Sequence, residues 1–261
     1  MGAAVSWSAS HYTLFERERT RPVRDLLGAV EHGRVGRAVD LGCGPGNSTE
    51  VLVARFAGAD ILGIDSSPDM IAAARARLPR CAFEVGDIAA WRPGGSFDVI
   101  LSNAALHWVP DHASLLPRLA ELLSPGGVLA IQLPDNLADR SQLLMQRVAE
   151  DGPWAARLAH APDARTAIGD ADHYYALLKP HCAHVDIWRT EYMHALQGAE
   201  AVVTWFSSTG LLPYLAPLDA DERLTFLEKY RAAVKAAYQT HCDGSVLLTM
   251  PRLFIVATAP G

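Results

Sequence analysis

The chain has 261 residues, about half of them hydrophobic, and a formal net charge of −6. This length suffices for one large α/β domain, or for a core with a cap, and the negative charge argues against a broad nucleic-acid or anionic-membrane surface. No apolar run reaches about 18 residues and no signal-peptide core is present, so we expect a cytoplasmic protein without a transmembrane helix. The four cysteines are widely spread and have no companion spacing for a metal, so we expect reduced thiols and no metal site.

The predicted elements begin with a helix within residues 1–36. Pro22 stands where a helix can begin, and the apolar residues after it recur at helical spacing. Three arginines lie close together just before Pro22. They form either a solvated face or an anion clamp, since a planar guanidinium binds a carboxylate through two hydrogen bonds. The sequence leaves both interpretations open.

The rest of the chain is organised around one glycine-rich turn that follows a short apolar run. The turn and the acid before it consist of Asp40, Gly42, Gly44 and Gly46. This pattern predicts a strand at about 37–41 and a helix at 50–56, with residues 47–49 as its N-cap. The dinucleotide fingerprint G-x-G-x-x-G has no acid before it, and its helix meets a pyrophosphate. An acid in this position repels phosphate and suits a cationic ligand.

Four further apolar runs predict strands in the first half of the chain. They are residues 60–65, 82–85, 97–102 and 128–133. Helices predicted at 70–78 and 114–123 alternate with these strands, so we expect a mostly parallel sheet.

Polar residues follow several predicted strands, at the edge where open α/β sheets bind ligands. Asp65 lies about twenty residues beyond Gly46, where a Rossmann-type fold places a carboxylate on the ribose hydroxyls. Asp87 can accept a hydrogen bond from an adenine amino group, and Ile88 can pack on the ring. Residues 103–108 follow the fourth strand at the same edge.

The pattern changes after Pro134. Residues 135–183 and 199–240 are mostly helical, and residues 185–194 and 247–258 alternate as strands. We expect the two late strands to finish the sheet as an antiparallel pair and the helices to form a lid over the strand ends. Because the chain returns to the sheet, we expect one domain over residues 1–261, with a core at about 30–134.

The motifs of the first half recur in a known superfamily. In chain order they are Asp40-Leu-Gly-Cys-Gly-Pro-Gly46, Gly63-Ile-Asp65, Gly86-Asp87, Asn103 to Trp108 and Ser124-Pro-Gly-Gly127. This set resembles the core of the class I S-adenosylmethionine methyltransferases. The resemblance implies a Rossmann-like α/β fold with a seven-stranded, mostly parallel sheet, an antiparallel last strand and a helical lid. It also implies S-adenosylmethionine as cofactor, with S-adenosylhomocysteine as the product.

The expected cofactor-binding residues are Asp40, Gly42, Gly44, Gly46, Asn47, Asp65, Ser66, Met70, Asp87, Ile88 and Asn103. We expect Asp40 to orient the glycine turn and the amino end of the methionine moiety rather than to take part in the chemistry.

Flanking segments narrow the resemblance. They are Glu18-Arg-Thr-Arg-Pro22, Asp65-Ser-Ser-Pro68, Leu133-Pro-Asp-Asn136, Asp186-Ile-Trp-Arg-Thr190, Thr209-Gly-Leu-Leu-Pro213 and Pro251-Arg-Leu-Phe-Ile-Val-Ala257. Together they resemble the trans-aconitate 2-methyltransferase family nearly end to end, which implies an enzyme that esterifies one carboxylate of a small anionic tricarboxylate. The sequence departs from the family at Leu212, where an arginine commonly follows the Thr-Gly-Leu of the lid.

The implied reaction needs no general base, because a carboxylate is already ionised at pH 7, so no catalytic residue is strictly required. Binding a trianion in a dry pocket requires charge-assisted contacts that replace its lost hydration. The expected substrate-binding residues are Tyr12, Arg19, Arg21, His107, Trp108, Tyr174, Tyr175 and Arg252. We expect no nucleic-acid or membrane partner, and a monomer or weak dimer.

Two alternatives stay open at this point. One is a methyltransferase acting on another small acid or on a hydroxyl of a small metabolite. The other is an S-adenosylmethionine-binding regulator without catalytic activity. A nucleic-acid methyltransferase is disfavoured, since no Asn-Pro-Pro-Tyr-type motif follows the fourth strand and no basic recognition segment is present.

Overall fold

The computed structural model describes residues 14–165 and 167–261, so Tyr12 lies outside the described residues. The described chain divides into two compact units. The sheet unit contains residues 16–134, 167–190 and 252–261, and the second unit contains residues 14–15, 135–165 and 191–251. The single-domain organisation with a helical lid stays a prediction.

The strands, in chain order, are β1 Arg37–Leu41, β2 Asp60–Asp65, β3 Ala82–Val85, β4 Phe97–Asn103, β5 Leu123–Pro134, β6 His184–Gln197 and β7 Ser245–Thr258. Within the described residues they form a seven-stranded sheet in the order β3-β2-β1-β4-β5-β7-β6. Strands β1 to β5 pair in parallel, and β7 pairs antiparallel with β5. The predicted fold class is confirmed.

The helices, in chain order, are α1 Glu16–Gly28, α2 Asn47–Arg55, α3 Pro68–Arg77, α4 His112–Ala120, α5 Arg140–Glu150, α6 Ala155–Leu158, α7 Ala171–Leu178, α8 Gly198–Ser207, α9 Leu212–Leu215 and α10 Ala220–Ala237. Short 3-10 helices cover Leu106–Trp108 and Pro162–Ala164. Helices α1 to α4 and α7 belong to the sheet unit. Helices α2 to α4 alternate with the strands as the sequence predicts, whereas α7 lies in the segment 135–183 that the sequence assigns to the lid.

The two faces of the sheet have different neighbours. Ile131 and Leu253 belong to a hydrophobic cluster that includes residues of α4 and α7. Successive side chains of a strand point to opposite faces, so Asp40, Gln132 and Arg252, whose neighbours in sequence are in that cluster, point to the other face. Helix α1 contacts β5, and its buried apolar residues lie outside that cluster. We call this second face the α1 face.

Three local details differ from the sequence prediction. Helix α1 begins at Glu16 and contains Pro22 in its interior, where Pro22 is buried. Helix α2 begins at Asn47 with the left-handed Gly46 as N-cap, and residues 47–49 form its first turn instead of capping it. Strand β5 begins at Leu123 and not at the predicted residue 128, and residues 124–127 lie within it as an irregularity in its pairing with β4.

The second unit is built around α10, which contacts α5 and α8. A capping box fixes its first turn, since Asp219 accepts from the Glu222 backbone and the Glu222 side chain accepts from the Asp219 backbone. The Trp154 and Phe226 rings pack 5.5 Å apart. In the described part of the chain, no helix is long and apolar enough to span a bilayer.

Candidate active site

The glycine turn between β1 and α2 has the geometry of a ligand-binding loop. Gly42, Gly44 and Gly46 have φ values of 76°, 54° and 88°, which L side chains rarely adopt. A Cβ on Gly42 would lie 2.1 Å from the Cβ of Ala105, so that glycine is required by packing. A Cβ on Gly44 would meet no atom of the described residues within 4 Å. Among these residues, the backbone at Gly44 therefore faces open space.

Asp40 is a buried carboxylate with one unused oxygen. Its Oδ2 accepts hydrogen bonds from Ser48 Oγ and Thr49 Oγ1, both at 2.7 Å. Its Oδ1 has no hydrogen-bond partner among the described residues, although the side chain is fully buried. Burial raises the pKa of Asp40 to about 6, although the hydrogen bonds from Thr49 and Ser48 lower it. An ammonium group placed at Oδ1 would offset the cost of this buried charge.

Asp65 links the second strand to the glycine turn. Its Oδ2 accepts from the Gly44 backbone N–H at 3.0 Å and its Oδ1 accepts from the Ser67 N–H at 2.9 Å. Burial raises the pKa of Asp65, and the same two hydrogen bonds lower it. Each carboxylate oxygen keeps a second acceptor position, so the pair of ribose hydroxyls predicted for Asp65 can still be accommodated.

The other predicted cofactor residues also lie in the sheet unit, at the ends of β1 to β4 or in the loops and first helical turns that follow them. Asp87 is exposed and accepts from the Ala89 N–H at 2.9 Å, whereas Ile88 and Met70 are buried and Ser66 is exposed. Asn103 ends β4, and its Oδ1 is buried without a hydrogen-bond partner in the described chain. Their assignment to the cofactor stays a prediction.

The arginines of α1 separate into two environments. Arg19 is buried, and its neighbour Thr20 lies 3.4 Å from the Asn47 side chain at the start of α2, measured from Oγ1 to Nδ2. Arg19 therefore lies in the turn of α1 that contacts the end of the glycine loop. Arg21 has a largely exposed side chain near Asp25. The structure does not bring Arg21 to the same place as Arg19.

Arg252 and Gln132 lie together with Asn103 along the edge of the sheet. Asn103 pairs with Gln132, and Arg252 pairs with Pro134, two residues further along β5. All three polar side chains are buried. The sequence reasoning missed Gln132, because a single glutamine in an apolar strand carries no motif; only the strand register draws attention to it.

The predicted aromatic pocket residues do not share one location. The Tyr174 hydroxyl lies 2.8 Å from Nδ1 of His112 and accepts from the Gly169 N–H at 3.3 Å. Tyr174 is fully buried in the cluster on the face opposite the α1 face. Tyr175 is 46% exposed. His107 is buried and packs on Trp108 in the 3-10 helix after β4, with ring centroids 4.9 Å apart.

These residues can hold a ligand with a cationic amino end and a ribose. The bare backbone at Gly44, the unused Asp40 oxygen and the Asp65 carboxylate meet at the ends of β1 and β2. Acids at both strand ends disfavour a pyrophosphate and fit S-adenosylmethionine. In the described chain, no group of three or more His, Cys, Asp or Glu side chains could hold a metal ion.

Comparison with known proteins agrees with this geometry. A family model described as a methyltransferase domain matches residues 38–127. Trans-aconitate 2-methyltransferase from Methylobacterium nodulans is 54% identical over 97% of this chain and 98% of its own length. The proteins of the same name from Methylobacterium radiotolerans and Yersinia pestis are 50% and 49% identical, again over 97% of this chain and 98% of their own lengths.

Solved structures share the fold at low sequence identity. The YcgJ protein from Bacillus subtilis has a TM-score of 0.58 at 13% identity, covering 92% of this chain and 99% of that one. Phosphoethanolamine N-methyltransferase 2 from Haemonchus contortus, in complex with S-adenosylmethionine, has a TM-score of 0.57 at 15% identity, covering 97% of this chain and 57% of that one.

Proposed function

Because the chain belongs to the trans-aconitate 2-methyltransferase family, we propose that it esterifies one carboxylate of trans-aconitate, using S-adenosylmethionine and giving the monomethyl ester and S-adenosylhomocysteine. The observation that carries the proposal is the 54% identity over nearly the whole of both chains. S-adenosylmethionine supplies an electrophilic methyl group, which the carboxylate oxygen takes with its own lone pair while the carbon–sulfur bond electrons stay on sulfur. No proton is transferred.

The residues of the chain act by binding and orientation. Asp40 receives the ammonium of the methionine moiety, the glycine backbone leaves room for the chain that bears it, and Asp65 receives the ribose hydroxyls. Burial of Asp40 and its unused oxygen support the first of these roles. Holding the nucleophile close to the methyl carbon and in line with the leaving sulfur supplies the rate enhancement.

The acid is held by guanidinium groups. Arg19 and Arg252 are buried cations of the sheet unit, and a buried guanidinium binds a carboxylate more strongly than an exposed one. Arg21, with its exposed side chain, contributes at most long-range attraction, which salt screens. We assign the enzyme to the cytoplasm, as a monomer or weak dimer without a nucleic-acid partner.

A different small polycarboxylate is the second candidate substrate, favoured by Leu212 at a position where the family commonly has an arginine. The test is turnover of trans-aconitate, cis-aconitate, isocitrate and citrate with S-adenosylmethionine, scored by the mass of the ester. We expect trans-aconitate to give the largest kcat/KM. Preference for another acid would support the second candidate, and S-adenosylmethionine binding without any ester would indicate a non-catalytic regulator.

A further inference from the structure

Gln132 is a buried amide whose hydrogen-bonding groups are both unused. Its side chain is 1% exposed, and neither Nε2 nor Oε1 has a hydrogen-bond partner within the described chain. Burying an amide group without a partner costs about 1–3 kcal/mol, and buried side chains in native proteins rarely leave both groups unused. A ligand or a trapped water would remove this cost by pairing with the amide.

The position of Gln132 favours a ligand. It lies near the carboxyl end of β5 on the α1 face, in register with Asn103 of β4 and Phe254 of β7. Open α/β sheets bind ligands at the carboxyl ends of their parallel strands. Across the sheet, from β2 to β1, β4, β5 and β7, this edge carries Asp65, Asp40, Asn103, Gln132 and Arg252. The series runs from acids through neutral amides to a cation.

This order matches the charges of the two proposed substrates. The acids face the cationic methyl donor, and the cation, together with Arg19 of α1, faces the anionic acid. Methyl transfer from a sulfonium to a carboxylate neutralises both charges, so the reacting atoms lose charge on the way to the transition state. A guanidinium holds the ionised reactant more strongly than the transition state and would therefore slow the reaction. The hydrogen bond from a neutral amide weakens little between the reactant and the transition state.

We propose that Gln132 holds the carboxylate that accepts the methyl group, its Nε2 donating to the oxygen that does not attack, while Arg19 and Arg252 hold the carboxylates that do not react. The inference rests on the proposed function and deepens it. Gln132 is a residue that selects which carboxylate reacts. It can donate to the ester carbonyl of the product as well as to the carboxylate of the reactant, so it does not trap either.

The test uses two variants. Gln132→Met keeps the side-chain volume but has no hydrogen-bond donor, and Gln132→Glu can donate a hydrogen bond only when its carboxyl group is protonated. The assays are kcat and KM for trans-aconitate at saturating S-adenosylmethionine. Calorimetry gives the Kd of S-adenosylmethionine and, with S-adenosylhomocysteine bound, the Kd of trans-aconitate. Ser124→Ala is the matched control, because Ser124 lies at the opposite end of β5, where its hydroxyl donates to Asp98 at 2.6 Å.

We expect Gln132→Met to lower kcat about 10- to 100-fold, because the reacting carboxylate is no longer held in line with the methyl group. The Kd of S-adenosylmethionine should be unchanged, and the Kd of trans-aconitate should rise only a few-fold, because the arginines still hold the other carboxylates. The ratio of Gln132→Glu to wild-type kcat should rise as the pH falls and the new side chain is protonated. Ser124→Ala should retain wild-type kcat.

A kcat of Gln132→Met within twofold of wild type would mean that a trapped water satisfies the amide, and would overturn the inference. If Gln132→Met does not fold, the Gln132→Glu ratio decides, and a ratio independent of pH overturns the inference. Absence of ester from trans-aconitate with the wild-type protein is a different failure, since it removes the proposed function itself.

Discussion

We predict that Asp40 gives the binding of S-adenosylmethionine a defined pH dependence. In the free protein its pKa is about 6, against an ordinary value of 3.8, because the carboxyl is fully buried. The group is therefore protonated below about pH 6 and ionised above it. If the ammonium of S-adenosylmethionine pairs with the unused Oδ1, only the ionised form binds well. The affinity should then fall as the pH drops through 6.

The size of the effect follows from the pKa. A ligand that binds only the ionised form loses about tenfold in affinity between pH 7.5 and 5, most of it below pH 6. Asp40→Asn removes the titrating group, so its affinity should be weaker at pH 7.5 and nearly independent of pH. Without ligand the variant should be more stable at pH 7.5, because a pKa of about 6 in place of 3.8 means that ionised Asp40 costs about 3 kcal/mol.

The sign of the stability effect is fixed by linkage. A carboxyl whose pKa is raised on folding binds more protons in the folded than in the unfolded protein between pH 3.8 and 6. Its contribution is therefore most favourable at low pH and is lost as the pH rises through about 6. Asp40→Asn should flatten this part of the stability profile, as measured by urea unfolding at several pH values.

Asp139 offers a matched control. Its pKa is also raised to about 6, by burial and by its neighbours Glu191 and Asp135, but it lies in the second unit. Asp139→Asn should keep the wild-type pH dependence of S-adenosylmethionine affinity, measured by calorimetry from pH 5 to 8. If Asp40→Asn keeps that dependence too, or binds as tightly as wild type at pH 7.5, the pairing of Asp40 with the ammonium is refuted.

Three further predictions test the loop, the clamp and the substrate. Gly44→Val should abolish S-adenosylmethionine binding in calorimetry, while left-handed strain should lower the stability of the fold by only about 1–2 kcal/mol. Gly42→Ala should lower the melting temperature, because its Cβ would overlap a neighbour. Normal affinity in Gly44→Val would show that the loop does not bind S-adenosylmethionine. Arg19→Ala should raise KM for the acid about 10- to 100-fold and leave the Kd of S-adenosylmethionine unchanged. Arg21→Ala, at an exposed position, should keep a KM near the wild-type value. Equal loss of both affinities in Arg19→Ala would count against a role of Arg19 in holding the acid. Leu212→Arg should lower KM for trans-aconitate, and a KM that does not fall would show that this position does not limit binding of the acid.

The strands could be predicted from the sequence because each is a short apolar run bounded by turn residues. The bounds of β2 and β3 agree with the prediction to the residue, and the spacing of Asp65 from the glycines correctly predicts its place at a strand end.

The helix starts could be predicted less well from the sequence. Asn47, Ser48 and Thr49 have cap chemistry, but the hydroxyls of Ser48 and Thr49 bind the carboxylate of Asp40, which is distant in sequence. The local capping preference of a residue cannot reveal a hydrogen-bond partner that only the folded chain brings close to it.

The same limit applies to the side chains that the sequence predicts to bind substrate. Arg19 and Arg21 lie two residues apart and look equivalent in the sequence, yet one is buried beside the glycine loop and the other is largely exposed. Tyr174 looked like a pocket residue, but its hydroxyl is engaged by His112 in the core. A helix turns about 100° per residue, so membership of a motif does not decide which face a side chain occupies.

Charge order across the sheet edge connects fold and chemistry more closely than any single residue does. Open α/β sheets bind ligands at the carboxyl ends of their strands, so the order of the strands sets the spatial order of the polar residues at that edge. Here the series runs from the acids on β2 and β1, through the amides on β4 and β5, to Arg252 on β7. In the proposed arrangement, two oppositely charged substrates meet over its neutral centre, where their charges cancel as the methyl group moves. A charged side chain in place of Gln132 would act against that cancellation, which is why a neutral residue suits this position.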